Sequence, residues 1–86
     1  VEAKVQKKLI NDLEAKGYYV IKLSVTNKNG IPDIIAIPKD CTCEFYEVKR
    51  PGGVVSQLQK FRAKELEEHG IKVFMHDGTS TRISDL

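Results

Sequence analysis

Between two short apolar segments, residues 42–49 and 71–75, the chain carries one helical run from Ser56 to about His69, closed by Gly70. Two strands joined through a single helix lie parallel in one sheet, because the crossover returns the chain to the end it started from. Leu58, Phe61 and Leu66, with Ala63 beside them, give that helix an expected apolar face. An α/β layer structure follows, and the rest of the chain has to complete the sheet and cover its second side.

The preceding residues supply those pieces. Val5, Leu9 and Leu13, with Ile10 adjoining, recur at helical spacing over residues 1–16, and Gly17 stands where a left-handed cap ends a helix. Residues 18–25 are aromatic and β-branched and read as a strand. Asn29-Gly30 is the strongest turn signal in residues 26–30, and Pro32 stiffens the entry to a central, buried strand over residues 33–38. A further strand over residues 42–49 is broken by Arg50-Pro51-Gly52-Gly53. The expected order is α-β-β-β-α-β, with a mixed central sheet flanked by helices. The turn-rich tail, residues 76–86, has no assigned element.

At 86 residues this reads as one domain with a thin core, burying roughly 60% of its unfolded surface, so a second copy would help stabilise it. No apolar run approaches the ~18 residues of a membrane span and no signal-peptide pattern opens the chain, which points to a cytoplasmic protein. Cys41 and Cys43, one residue apart, fit reduced structural thiols, because a disulfide between such near neighbours is strained. The net charge of +2 is unevenly spread: residues 49–64 hold five basic side chains and no acid, whereas residues 32–48 hold four acids and one lysine. A basic block beside an acidic cluster suits a cation site set against a polyanion, although a solvated helix face has the same composition.

Three residues carry the chemistry. Asp33 opens the buried strand, and Glu47 and Lys49, two apart on the next strand, point to one face while Val48 between them faces the core. Two carboxylates, with the Val48 carbonyl as a third oxygen, meet the preference of Mg²⁺ or Mn²⁺ for a few hard oxygen ligands. A cation so held polarises a phosphoryl oxygen, and Lys49 is placed to orient the attacking water or to meet developing charge. The competing reading of Glu47-Val48-Lys49 alone is a surface ion pair. No small-molecule cofactor is expected.

Taken together, Gly30-Ile31-Pro32-Asp33, Glu47-Val48-Lys49, Ser56-Gln57-Leu58-Gln59 and Gly70-Ile71-Lys72-Val73 resemble the motifs of the VRR-Nuc (virus-type replication-repair nuclease) family of the PD-(D/E)xK nuclease superfamily. Glu2 with Gln6 one turn later resembles the opening helix of that family, and the likeness spans nearly all of residues 1–86. The resemblance implies a small restriction-endonuclease-like fold and a metal-dependent DNA endonuclease, with Asp33 and Glu47 as metal ligands and Lys49 serving the water. It implies Glu2 as an additional acid, whose alternative is an interaction with the helix dipole. Gln59 has two readings, a catalytic side chain or the partner of Ser56 in a capping box. Lys28, Arg50, Lys60, Arg62 and Lys64 are the expected contacts to DNA phosphates, with Asn27 and Asn29 beside them. Small stand-alone members of the family resemble dimeric Holliday-junction resolvases, so the expected substrate is branched DNA and the expected assembly a homodimer. Nicking, flap or restriction-like cleavage, and a non-catalytic DNA-binding module, are the alternatives.

Overall fold

A computed structural model describes residues 3–40 and 42–86. Helix α1 (Ala3–Ala15) is followed by β1 (Tyr19–Lys22), β2 (Ile34–Ile37), β3 (Glu44–Val48), α2 (Gln57–Glu68), β4 (Lys72–His76), β5 (Ser80–Arg82) and a 3₁₀ turn (Ile83–Asp85). The strands form one sheet in the order β1-β2-β3-β4-β5. Among the described residues β3 and β4, the pair joined through α2, are parallel and the other three pairs are antiparallel.

Strand alternation divides the sheet into two apolar sides. Ile34, Ala36, Tyr46 and Val48 pack with Leu9 and Leu13 under α1. Phe45 and Val73 pack with Val55, Ala63 and Ile83 on the α2 side. The α1 stripe holds as expected, and the helix closes at Gly17, where Tyr18 N–H bonds to Leu13 O at 3.1 Å and Gly17 adopts φ 92°. Gln6 is also buried in that stripe.

The structure corrects several expectations. β1 ends at Lys22, because Leu23 N–H makes the last rung to Asp33 O and the chain then leaves the sheet; Val25 is 89% exposed. On α2 only Ala63 is buried, and Leu58 and Phe61 are exposed. Phe61 lies about 200° around the helix from Ala63 and so faces solvent. Leu58 instead lies over the preceding turn: a Cβ built on Gly30 would come within 2.7 Å of Leu58 Cγ, and Gly30 has φ 82°. Glycine is required there on both counts. The tail forms a hairpin, turning at Asp77-Gly78 into β5, followed by the 3₁₀ turn that inserts Ile83 beneath α2. Among the described residues no helix is long and apolar enough to cross a membrane.

Candidate active site

Register brings the acids together. Ile34 makes the last paired rung with Tyr46 across β2 and β3, and Asp33, just before it, carries its carboxylate to that of Glu47, with which it shares a hydrogen bond. Alternation puts Glu47 and Lys49 on the α2 side with Phe45, and Val48 on the α1 side. Asp33 is fixed at three points. Its N–H bonds to Tyr46 O at 3.1 Å, its carbonyl accepts from Leu23 N–H at 2.7 Å, and its Oδ2 accepts from Val48 N–H at 3.1 Å. The buried Pro32 preceding it adds stiffness.

Glu47 is 3% exposed, and its Oε1 is buried without a hydrogen-bond partner. Its Oε2 lies 3.8 Å from Lys49 Nζ. Burial pushes the Glu47 carboxyl up from 4.5 to about 8; the charge of Asp33 and a hydrogen bond shared with it act in the same direction, and Lys49 opposes them. The protonated form is therefore favoured in the folded chain. The stability it contributes is fully present below pH 4.5 and is lost as pH rises through about 8. In EDTA, Glu47→Gln is accordingly expected to melt with the wild type below pH 4.5 and at least ~5 °C above it on the alkaline side of pH 8. Thermal melts at the two pH values check this, and an equal difference at both would contradict it.

Asp33, Glu47, Lys49, Arg50, Val54 and Gln59 line one open cleft of about 650 Å³. Gln59 reaches it from the first turn of α2, where it also closes a capping box: Ser56 N–H donates to Gln59 Oε1 at 2.9 Å and Gln59 N–H to Ser56 Oγ at 3.1 Å. The cap engages its carbonyl oxygen and leaves the amide NH₂ for the cleft. Gln59→Ala is expected to cost about 1 kcal/mol of stability. Gln59→Glu should keep the cap but slow cleavage by adding a third carboxylate. Denaturant melts beside cleavage rates separate the two roles, and equal rates for Gln59→Glu and wild type would remove Gln59 from the chemistry.

The expected basic contacts are dispersed. Arg50 lines the main cleft, whereas Lys28 borders an adjoining groove that meets it at Asp33. Lys60 and Lys64 border a different groove, between α2 and the 3₁₀ turn. Arg62 is engaged within the fold: Nε donates to Asn29 O at 2.9 Å, an Nη pairs with Glu65 at 2.8 Å, and the guanidinium lies over Phe61. It ties α2 to the turn before Asp33, a role not read from sequence. Val54 in the cleft wall was also missed, although it follows directly on the turn that breaks β3. Glu2 and Cys41 lie outside the described residues.

Among the described residues no three His, Cys, Asp or Glu side chains form a closed metal cage. Asp33 and Glu47 still fit a divalent cation that keeps much of its water, since one buried carboxylate oxygen is without a partner and its neighbour is a second carboxylate.

A mixed sheet whose central strands bring two acids and a lysine to one end, beside a helix-borne glutamine, has the architecture of a PD-(D/E)xK nuclease core. No family model and no curated protein matches the chain. A solved structure described as a VRR-Nuc domain is similar to it, at 31% identity and a TM-score of 0.76, over 86% of this chain and 81% of that one. The chain belongs to the VRR-Nuc family.

Proposed function

We propose that this cleft hydrolyses DNA phosphodiester bonds in a metal-dependent reaction on branched DNA. The observation that carries the reading is the buried, partnerless oxygen of Glu47, set beside Asp33 and Lys49 in an open cleft. Asp33, Glu47 and the Val48 carbonyl would hold Mg²⁺ or Mn²⁺, with Glu2 a further candidate. When bound, such an ion supplies Lewis-acid polarisation of a phosphoryl oxygen. Lys49 orients the attacking water and meets charge that develops on the phosphate. Gln59 donates its amide toward the scissile strand, and Arg50 neutralises a neighbouring phosphate. Asp33 is held by the sheet itself, so the acids are placed before substrate arrives.

Binding through phosphates and shape suits a substrate defined by its branch rather than by its bases. A four-way junction is two-fold symmetric and needs paired incisions, which a homodimer with two clefts supplies. Competition of a labelled junction by unlabelled junction and by linear duplex, at raised salt, tests the preference. The junction is expected to compete more strongly, and equal competition would leave a nuclease without junction selectivity.

A further inference from the structure

Of the exposed large apolar side chains among the described residues, Val25 at 89% and Val54 at 80% stand furthest into solvent. Apolar side chains scattered singly over a surface are ordinary. These two are not scattered. Val25 lines a groove of about 330 Å³ with Lys28 and Asn29, and Val54 lines the cleft that holds Glu47 and Lys49. The two hollows share Asp33. A strand passing from one into the other therefore crosses Asp33 between the two valines.

Backbone contacts hold both in place. The loop bearing Val25 is fixed at its base by Leu23 N–H on Asp33 O at 2.7 Å, and at its far end by Arg62 Nε on Asn29 O at 2.9 Å. Between these points Thr26 Oγ1 donates to Lys28 O at 2.6 Å and tightens the tip. Val54 follows a turn closed by Gly53 N–H on Arg50 O at 2.9 Å, and precedes Val55, which is buried in the core on the α2 side. Branching at Cβ makes valine stiff at χ1. Each therefore presents a blunt apolar face at a fixed place.

Each hollow also sets a cation with its valine, Lys28 with Val25 and Arg50 with Val54. A nucleotide offers the matching pair of chemistries, an anionic phosphate and an apolar base face. In continuous duplex those faces are stacked, and only base edges are open in the grooves. At a branch point the stack breaks and the faces are uncovered. We propose that Val25 and Val54 contact the unstacked bases on the two sides of the phosphate at Asp33 and Glu47, and so select branched DNA over continuous duplex.

This contact rests on the nuclease reading for the place of the phosphate, and it gives that reading a means of sensing the branch. Basic side chains alone do not provide one, because junction arms and linear duplex carry the same phosphates. Apolar wedges do. Inserting one between base steps requires unstacking in duplex, and much less of it where the stack is already broken. Discrimination then comes from contacts that continuous duplex has to be deformed to make. A larger flat side chain at the same place should strengthen the effect, since aromatic rings stack on any base.

Fluorescence in EDTA tests the contact without cleavage. Aminopurine, a base whose emission is quenched by stacking, replaces one adenine beside the branch of a four-way junction, within an arm, or in matched linear duplex. Bound wild type is expected to raise the emission about twofold or more beside the branch and to leave it unchanged at the other two positions. Val25→Ser with Val54→Ser should lose most of that rise and bring junction and duplex affinities closer together. Val25→Phe should tighten junction binding at least ~5-fold. Both side chains are exposed, so circular dichroism spectra of the variants should match wild type. No rise beside the branch in bound wild type, an equal rise in duplex, or variants indistinguishable from wild type would overturn the proposal. A rise at the branch from a chain that cuts in no metal would uphold the contact and remove the chemistry instead.

Discussion

Asp33→Asn is expected to lower single-turnover cleavage at least ~10³-fold while leaving the chain folded and bound to DNA. Asparagine keeps an oxygen for the Val48 amide that now bonds to Asp33 Oδ2 at 3.1 Å, so the junction of β2 and β3 is preserved. What is lost is a negative charge beside the Glu47 carboxyl. That loss removes a proposed metal ligand and one of the forces raising the Glu47 carboxyl. It also removes repulsion toward phosphate, so DNA affinity measured in EDTA should hold or rise. Fluorescence anisotropy beside quenched-flow cleavage separates the two effects. A variant that cleaves near the wild-type rate would exclude Asp33 from the site.

Lys49→Ala is expected to reduce turnover by about 10²- to 10³-fold and to spare Mn²⁺ binding. Lys49 Nζ lies 3.8 Å from Glu47 Oε2 and is partly exposed, so it can face the cleft and the buried acid together. Its positive charge holds the Glu47 carboxyl below the value that burial and Asp33 would otherwise impose. Removing it should therefore raise that carboxyl further in the metal-free chain, which an NMR titration in EDTA reads. Calorimetry of Mn²⁺ binding beside single-turnover rates checks the part Lys49 plays in turnover. Wild-type turnover with an unshifted Glu47 titration would show that Lys49 serves neither role.

Much of this architecture was legible because local rules and long-range packing agreed. Gly17 and Gly70 ended the helices where a left-handed residue was needed, and one helix between two strands forced β3 and β4 to be parallel. Glu47 and Lys49 shared a face because strand periodicity leaves no alternative. Their meeting with Asp33 depended on the β2–β3 register, which composition does not specify. The solvent-facing Leu58 and Phe61 misled for a related reason: apolar residues at helical spacing name a stripe, but Arg62 and Gly30 determine what Leu58 rests on. The β5 hairpin was signalled only by Asp77-Gly78, with too few β-formers around it to identify a strand. Gln6, three residues before Leu9, sat within the buried stripe all along, and its polarity hid it. The burial that leaves Glu47 Oε1 without a partner arises from tertiary packing and has no sequence signature.

Incision of a synthetic four-way junction and its matched linear duplex, in Mg²⁺, Mn²⁺ or EDTA, with wild type beside Glu47→Gln, bears most directly on the cleft. Wild type is expected to cut in either metal and to stop in EDTA, and Glu47→Gln to bind without cutting. Cleavage by Glu47→Gln at the wild-type rate, or no cleavage by folded wild type in any metal, would contradict a nuclease centred on Asp33, Glu47 and Lys49.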